Sequence, residues 1–115
     1  KHLFEIKEAL GISGVYTEVS FYSSKGNKIN KGMQIDLLID RKDDTINLCE
    51  CKFYNGTFKI DKKYADQMRE KKTLFVTETG TKKTVFNTLI TSHGIAANAY
   101  ALDVVDVELK LEHLF

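Results

Sequence analysis

The chain reads as an α/β protein with a mixed β-sheet flanked by helices, and two features of its 115 residues lead to that reading. Three consecutive strand-like segments joined by polar connections suit an antiparallel meander. A long amphipathic stretch then provides the crossover that a strand needs to return parallel to an earlier one. Further strand-like segments follow, giving the expected order α-β-β-β-α-β-β. A chain of this length is one domain, able to bury roughly two-thirds of the surface its unfolded form exposes. Its 43% hydrophobic and 29% charged residues are ordinary for a globular domain.

Each element has a local reason. His2 to Leu10 sets Leu3, Ile6 and Leu10 at helical spacing, with Gly11 as the stop. Val15 to Ser23 alternates Val15, Thr17, Val19 and Phe21 against Tyr16, Glu18, Ser20 and Tyr22, which predicts a strand. Ser24 to Gly32 is polar and glycine-bearing, a loop. Met33 to Arg41 and Ile46 to Phe53 are aliphatic, β-branched runs separated by Lys42-Asp43-Asp44-Thr45, which predicts an antiparallel hairpin. Asn55 to Ile60 leaves the second strand. Asp61 is placed to cap a helix running to about Glu78, with Tyr64, Met68 and Phe75 on one side and Gly80 ending it. Thr84 to Thr91 is a strand; Tyr100 to Val107 is expected to be the next, and Leu109 to Phe115 a short final element. The chain begins without Met and in mid-pattern, as an excised piece of something longer would.

The hairpin carries the chemistry. Side chains alternate faces along a strand, so Gln34, Asp36, Leu38 and Asp40 are expected on one face, and Leu48, Glu50 and Lys52 on one face of the partner. If Arg41 pairs with Thr45, Asp36 stands opposite Glu50 with Cβ atoms about 4.5 to 5.5 Å apart. A slip of one residue would separate them. Two carboxylates that close repel, and one protonates unless a cation intervenes. Mg²⁺ or Mn²⁺ favours oxygen ligands and keeps waters that a phosphate can displace, and the backbone carbonyl of Cys51 faces the same pocket. Lys52 would orient or help deprotonate the attacking water, or neutralise charge developing on the phosphate. Asp36, Glu50 and Cys51 as a metal set, with Lys52 beside them, are the equipment of a metal-dependent phosphodiesterase. The competing reading is a cross-strand ion pair of Asp36 with Lys52 on a solvated face, worth roughly 0 to 1 kcal/mol.

The order Ile35-Asp36 … Glu50-Cys51-Lys52 resembles the PD-(D/E)XK nuclease superfamily, without the proline often found before the aspartate. The segments GMQIDLLIDRKDDTINLCECKF, FKIDKKYADQMREKK and ELKLEHLF are similar, over nearly the whole chain, to the C-terminal domain of bacterial and archaeal AAA-type ATPases of unknown function. That domain is classed with these nucleases. The resemblance implies a restriction-endonuclease-like sheet, Asp36 and Glu50 as metal carboxylates, Lys52 as catalytic lysine, and Mg²⁺ or Mn²⁺ as cofactor. It also implies nucleic acid as substrate, DNA ahead of RNA, and an N-terminal ATPase domain in the same longer chain. The superfamily often adds a glutamate from its first core helix, a place for Glu5, Glu8 or a residue before Lys1. Several members put a glutamine or tyrosine near the phosphate from the following helix, where Gln67 and Tyr64 lie; Tyr64 reads as core. The alternative is a nuclease fold without turnover that docks, oligomerises or regulates the ATPase.

The remaining residues set bounds. A formal charge of +1 provides no global attraction for nucleic acid, leaving local groups: Lys59, Lys62, Lys63, Arg69, Lys71 and Lys72, and Lys25, Lys28 and Lys31. Taken singly, most read as solvated faces. Cys49 and Cys51, two apart on one strand, are expected as small apolar residues on the face opposite Glu50. They suit neither a disulfide with each other nor a zinc site, and they point to a reducing, cytoplasmic setting. His2, His93 and His113 are scattered, Ser92-His93-Gly94 reads as a turn, and Asp40 reads as support for the hairpin. No apolar run reaches the roughly eighteen residues of a membrane span, and no signal peptide or phosphate-cradling glycine loop is visible.

Overall fold

In a computed structural model, which describes residues 3–12, 14–26, 31–53 and 55–110, a five-stranded mixed sheet lies between helices. The elements are α1 (Leu3–Ala9), β1 (Thr17–Gly26), β2 (Lys31–Arg41), β3 (Thr45–Lys52), α2 (Lys62–Thr79), β4 (Thr84–Thr91), α3 (Ala99–Val104) and β5 (Val107–Lys110). The strands lie in sequence order, β1 to β5, with β1, β2 and β3 antiparallel and β4 and β5 parallel to β3. The meander and the helical crossover are therefore both present, and the α/β class holds.

Local chemistry accounts for α2. The Asp61 side chain accepts from the backbone N–H of Tyr64 at 2.8 Å, satisfying one donor of the exposed first turn. At the other end Gly80 takes a left-handed φ of 63° and returns its N–H to the Val76 carbonyl, a conformation that costs glycine least. Between them Ala65, Met68 and Phe75 are buried against the sheet.

One expected strand is a helix. Tyr100 to Val107 was expected to be extended; instead Ala99–Val104 forms α3 and the strand starts at Val107. The Asn98 side chain accepts from Ala101 N–H at 2.8 Å and donates to the Ile60 carbonyl at 3.0 Å, so it starts the helix and ties it to the entry of α2. A short apolar run suits either state by composition, and here the cap decides. Asp106 then exchanges bonds with Asn87, its carboxylate accepting at 2.8 Å and its N–H donating at 2.9 Å, which sets β5 alongside β4. Strand ends also move: β1 runs to Gly26 and β2 begins at Lys31, inside the expected loop. Residues 27–30 of that loop and 111–115 of the expected final element lie outside the described residues.

The two faces of the sheet bury separate clusters. Ile6 and Ile12 cover Ile39, Cys49, Ile90 and Leu109 on one side. On the other, Phe75 packs with Ile35, Leu38, Ile46, Leu48 and Val85, while Ala65 and Met68 pack with Ile60, Leu89 and Val104.

A β-bulge sits between β1 and β2. Ser20 pairs with Leu38 and Tyr22 with Ile35, so Phe21 alone opposes both Asp36 and Leu37. The extra residue resets the alternation. Leu37 packs with Ile39 toward α1, while Ile35 joins Leu38 under α2. The simple pattern in which Gln34, Asp36, Leu38 and Asp40 share one face therefore breaks at Asp36.

Candidate functional site

The hairpin has the register on which the acidic pair depends. Arg41 pairs with Thr45, and the ladder continues through Asp40–Ile46, Ile39–Asn47 and Leu38–Leu48 to Leu37–Cys49. The ladder ends there, one residue short of Asp36 and Glu50, whose side chains nevertheless interact by hydrogen bond and charge. The bulge falls at this step, and Asp36, itself exposed, accepts the backbone N–H of Cys51 on its Oδ2 at 3.0 Å. The carbonyl of Cys51 leaves the strand on the same edge as that N–H, toward Asp36.

Glu50 lies on the α2 side, between two apolar clusters, and is 7% exposed. Burial pushes its carboxyl above the ordinary value; hydrogen bonding and charge from Lys71 oppose the shift, while the hydrogen bond and charge of Asp36 add to it. Lys71, on α2, forms an ion pair with Glu50 Oε1. The two residues line a small cleft with Ile35, Leu48, Met68 and Asn87.

Lys52 takes a different position. Its Nζ lies 5.1 Å from the centroid of the Tyr64 ring and 5.8 Å from that of Phe58, a cation–π arrangement. Those rings meet edge to face at 5.1 Å. The Tyr64 hydroxyl is buried and, among the described residues, has no hydrogen-bond partner. Burial first, then the charges of Glu50, Asp36 and Cys51, raise its phenol above the ordinary value. Tyr64 is thus partly core, as expected, and its ring also faces the Lys52 ammonium.

The other candidates disperse. Cys49 is fully buried in the α1-side cluster with Cys51 packed against it, opposite Glu50 as expected. Burial, then the charges of Asp36 and Glu50, push the Cys51 thiol up to about 11, far from a reactive thiolate. Asp40 accepts from Lys83 at 2.5 Å and supports the hairpin. Gln67, Glu8 and His93 are exposed; Glu5 lies on α1 with its side chain outside the described set. Of the basic residues on α2, Arg69 pairs with Asp66 and Asp103, and Lys72 with Asp106 at 3.6 Å, while Lys62 and Lys63 are exposed, as is Lys59 before the helix. The side chains of Lys25, Lys28 and Lys31 lie outside the described set.

Lys71 is the residue that sequence reasoning did not single out. Its signal was present: it stands seven residues after Tyr64 and three after Met68, on the helical face turned to the sheet.

The donor set suits a hard divalent cation with an incomplete protein shell. Among the described residues no three His, Cys, Asp or Glu side chains gather as a metal cage. Two carboxylates and a backbone carbonyl edge are oxygen donors, and Mg²⁺ characteristically takes one or two carboxylates and keeps its waters.

Among the described residues no helix is long and apolar enough to cross a membrane. No protein-family model and no curated protein matches the sequence. The fold is similar to that in the crystal structure of AF1548, a protein of unknown function: TM-score 0.62, 21% identity, 98% of this chain covered. This chain spans 61% of that one. At such identity the likeness concerns the fold.

Proposed function

We propose that this domain is a PD-(D/E)XK-type nuclease module that binds Mg²⁺ or Mn²⁺ at Asp36 and Glu50 and hydrolyses nucleic-acid phosphodiesters, DNA ahead of RNA. In this reading it works within a longer protein that carries an ATPase domain. One observation carries the reading: the hairpin register and the β2 bulge bring Asp36 to Glu50, whose carboxyl is buried and raised in pKa. Burying one carboxylate beside another is unfavourable unless a cation compensates.

A divalent cation at this position polarises a phosphate oxygen and lowers the pKa of a water it binds. Asp36 and Glu50 hold it, with the Cys51 carbonyl as a third oxygen. Lys52, held beside Tyr64, supplies a positive charge for the charge that develops on the phosphate. Tyr64 supplies a hydroxyl that hydrogen-bonds the attacking water or a phosphate oxygen.

The test is incubation of the full-length protein with circular DNA, linear DNA and RNA, in Mn²⁺ and in EDTA. Cleavage in Mn²⁺ alone, lost in Asp36→Ala and Lys52→Ala, supports the enzyme. A second reading, a nuclease fold that docks or oligomerises without turnover, draws on the Lys71–Glu50 pair, which already neutralises the buried acid. Absence of cleavage, or cleavage indifferent to both substitutions, favours that module.

A further inference from the structure

Lys71 approaches the acidic pair from the middle of α2. Its ammonium contacts Glu50 Oε1, and its side chain is 32% exposed against 10% for that of Glu50. The contact lies at the seam between two apolar clusters, with Leu48 and Ile35 on one side and Met68 on the other. The helix itself is held elsewhere. Arg69 binds Asp103, Lys72 binds Asp106, and Met68 and Phe75 are buried. Lys71 can therefore leave Glu50 by rotating its own flexible four-carbon stem while α2 stays in place.

We infer that Lys71 is the resident counter-ion of the Asp36–Glu50 pair, and that a divalent cation binds there by exchange, taking the Glu50 carboxylate from the ammonium. This rests on the metal reading above. Two positive groups at one carboxylate oxygen repel, so the ammonium must withdraw as the cation arrives. In the metal-free protein Lys71 compensates a carboxylate that the apolar surroundings would otherwise leave uncompensated. Exchange also weakens the site, because each binding event breaks one charge-assisted hydrogen bond. Once released, the ammonium stands at the half-exposed side of the cleft, positioned to meet an anionic group.

Calorimetric titration with Mn²⁺ at pH 8 tests this on the wild-type protein, Lys71→Met and Lys71→Arg. Methionine keeps the apolar stem and removes the competing charge. Lys71→Met is expected to bind Mn²⁺ about tenfold more tightly, the equivalent of one charge-assisted hydrogen bond no longer broken. Lys71→Arg is expected to bind no more tightly than the wild type. Thermal unfolding gives a second readout: Mn²⁺ should raise the Tm of Lys71→Met more than that of the wild type. Should Lys71→Met fail to fold, Lys71→Gln, polar and uncharged, serves the same comparison. Equal or weaker binding in the uncharged variant overturns exchange and leaves the metal site standing. No Mn²⁺ binding in any of the proteins overturns the metal reading, and exchange with it.

Discussion

At the turn of the β2–β3 hairpin, Asp43 accepts two hydrogen bonds from Arg41, at 2.9 and 2.5 Å, and lies exposed to water. The guanidinium holds its carboxyl below the ordinary 3.8. Nearby, Asp40 has its own cation in Lys83. At the open end of the same hairpin Glu50 is buried beside Asp36, and its carboxyl is displaced upward from 4.5. The two ends share residue types and strands and titrate in opposite directions. Acids in the open, each with its own cation, stabilise a turn; a buried acid beside a second carboxylate, with the single ammonium of Lys71 between them, leaves a charge that a bound ion can relieve.

Loss of function should be greatest at the buried acid. Glu50→Ala should abolish Mn²⁺ binding and reduce cleavage at least about a thousandfold, while Asp40→Ala stays within about twofold, as measured by metal-dependent cleavage rates. Packing comes next. Ile35, turned under α2 by the bulge, is 1% exposed, and Ile35→Ala should cost about 3 kcal/mol in urea unfolding. Val19, on the edge strand and 36% exposed, should lose less than about 1 kcal/mol as alanine. Counter-ions separate the two ends again. In EDTA, Lys71→Met should destabilise by about 2 kcal/mol by leaving Glu50 uncompensated, against under about 1 kcal/mol for Lys83→Met.

The smallest effect is in the pH profile. Glu50 titrates higher folded than unfolded, so its contribution is full below 4.5 and is lost as pH rises through its raised value. Stability of Glu50→Gln should therefore gain on the wild type as pH rises from 4.5 through that raised value. Asp43 has the opposite sign: its contribution is present above 3.8 and is lost as pH falls through its lowered value. The deficit of Asp43→Asn should shrink in acid. Denaturation midpoints across pH distinguish the two slopes.

What could be read from the sequence follows from which interactions are local. The hairpin register was legible because Lys42, Asp43 and Asp44 leave little choice of turn, and Asp44 indeed takes a positive φ of 60°. The span of α2 was legible because Asp61 and Gly80 are chemically suited to its two ends. The bulge was not, since neither Asp36 nor Leu37 differs from an ordinary strand residue and the irregularity exists only in the pairing with β1. The identity of α3 turned on Asn98 reaching Ile60, 38 residues earlier. Lys71 was one of several similar lysines until the crossover chose its face.

That crossover also sets an order of events as the polypeptide matures. Asp36 and Glu50 belong to a hairpin, a structure that closes in roughly 1 to 10 μs. Lys71 and Tyr64 reach them only after α2 has swung across and β4 has aligned beside β3, a rearrangement of higher contact order and therefore slower. The two acids meet first while still hydrated, and the helix buries Glu50 afterwards while Asp36 keeps its water.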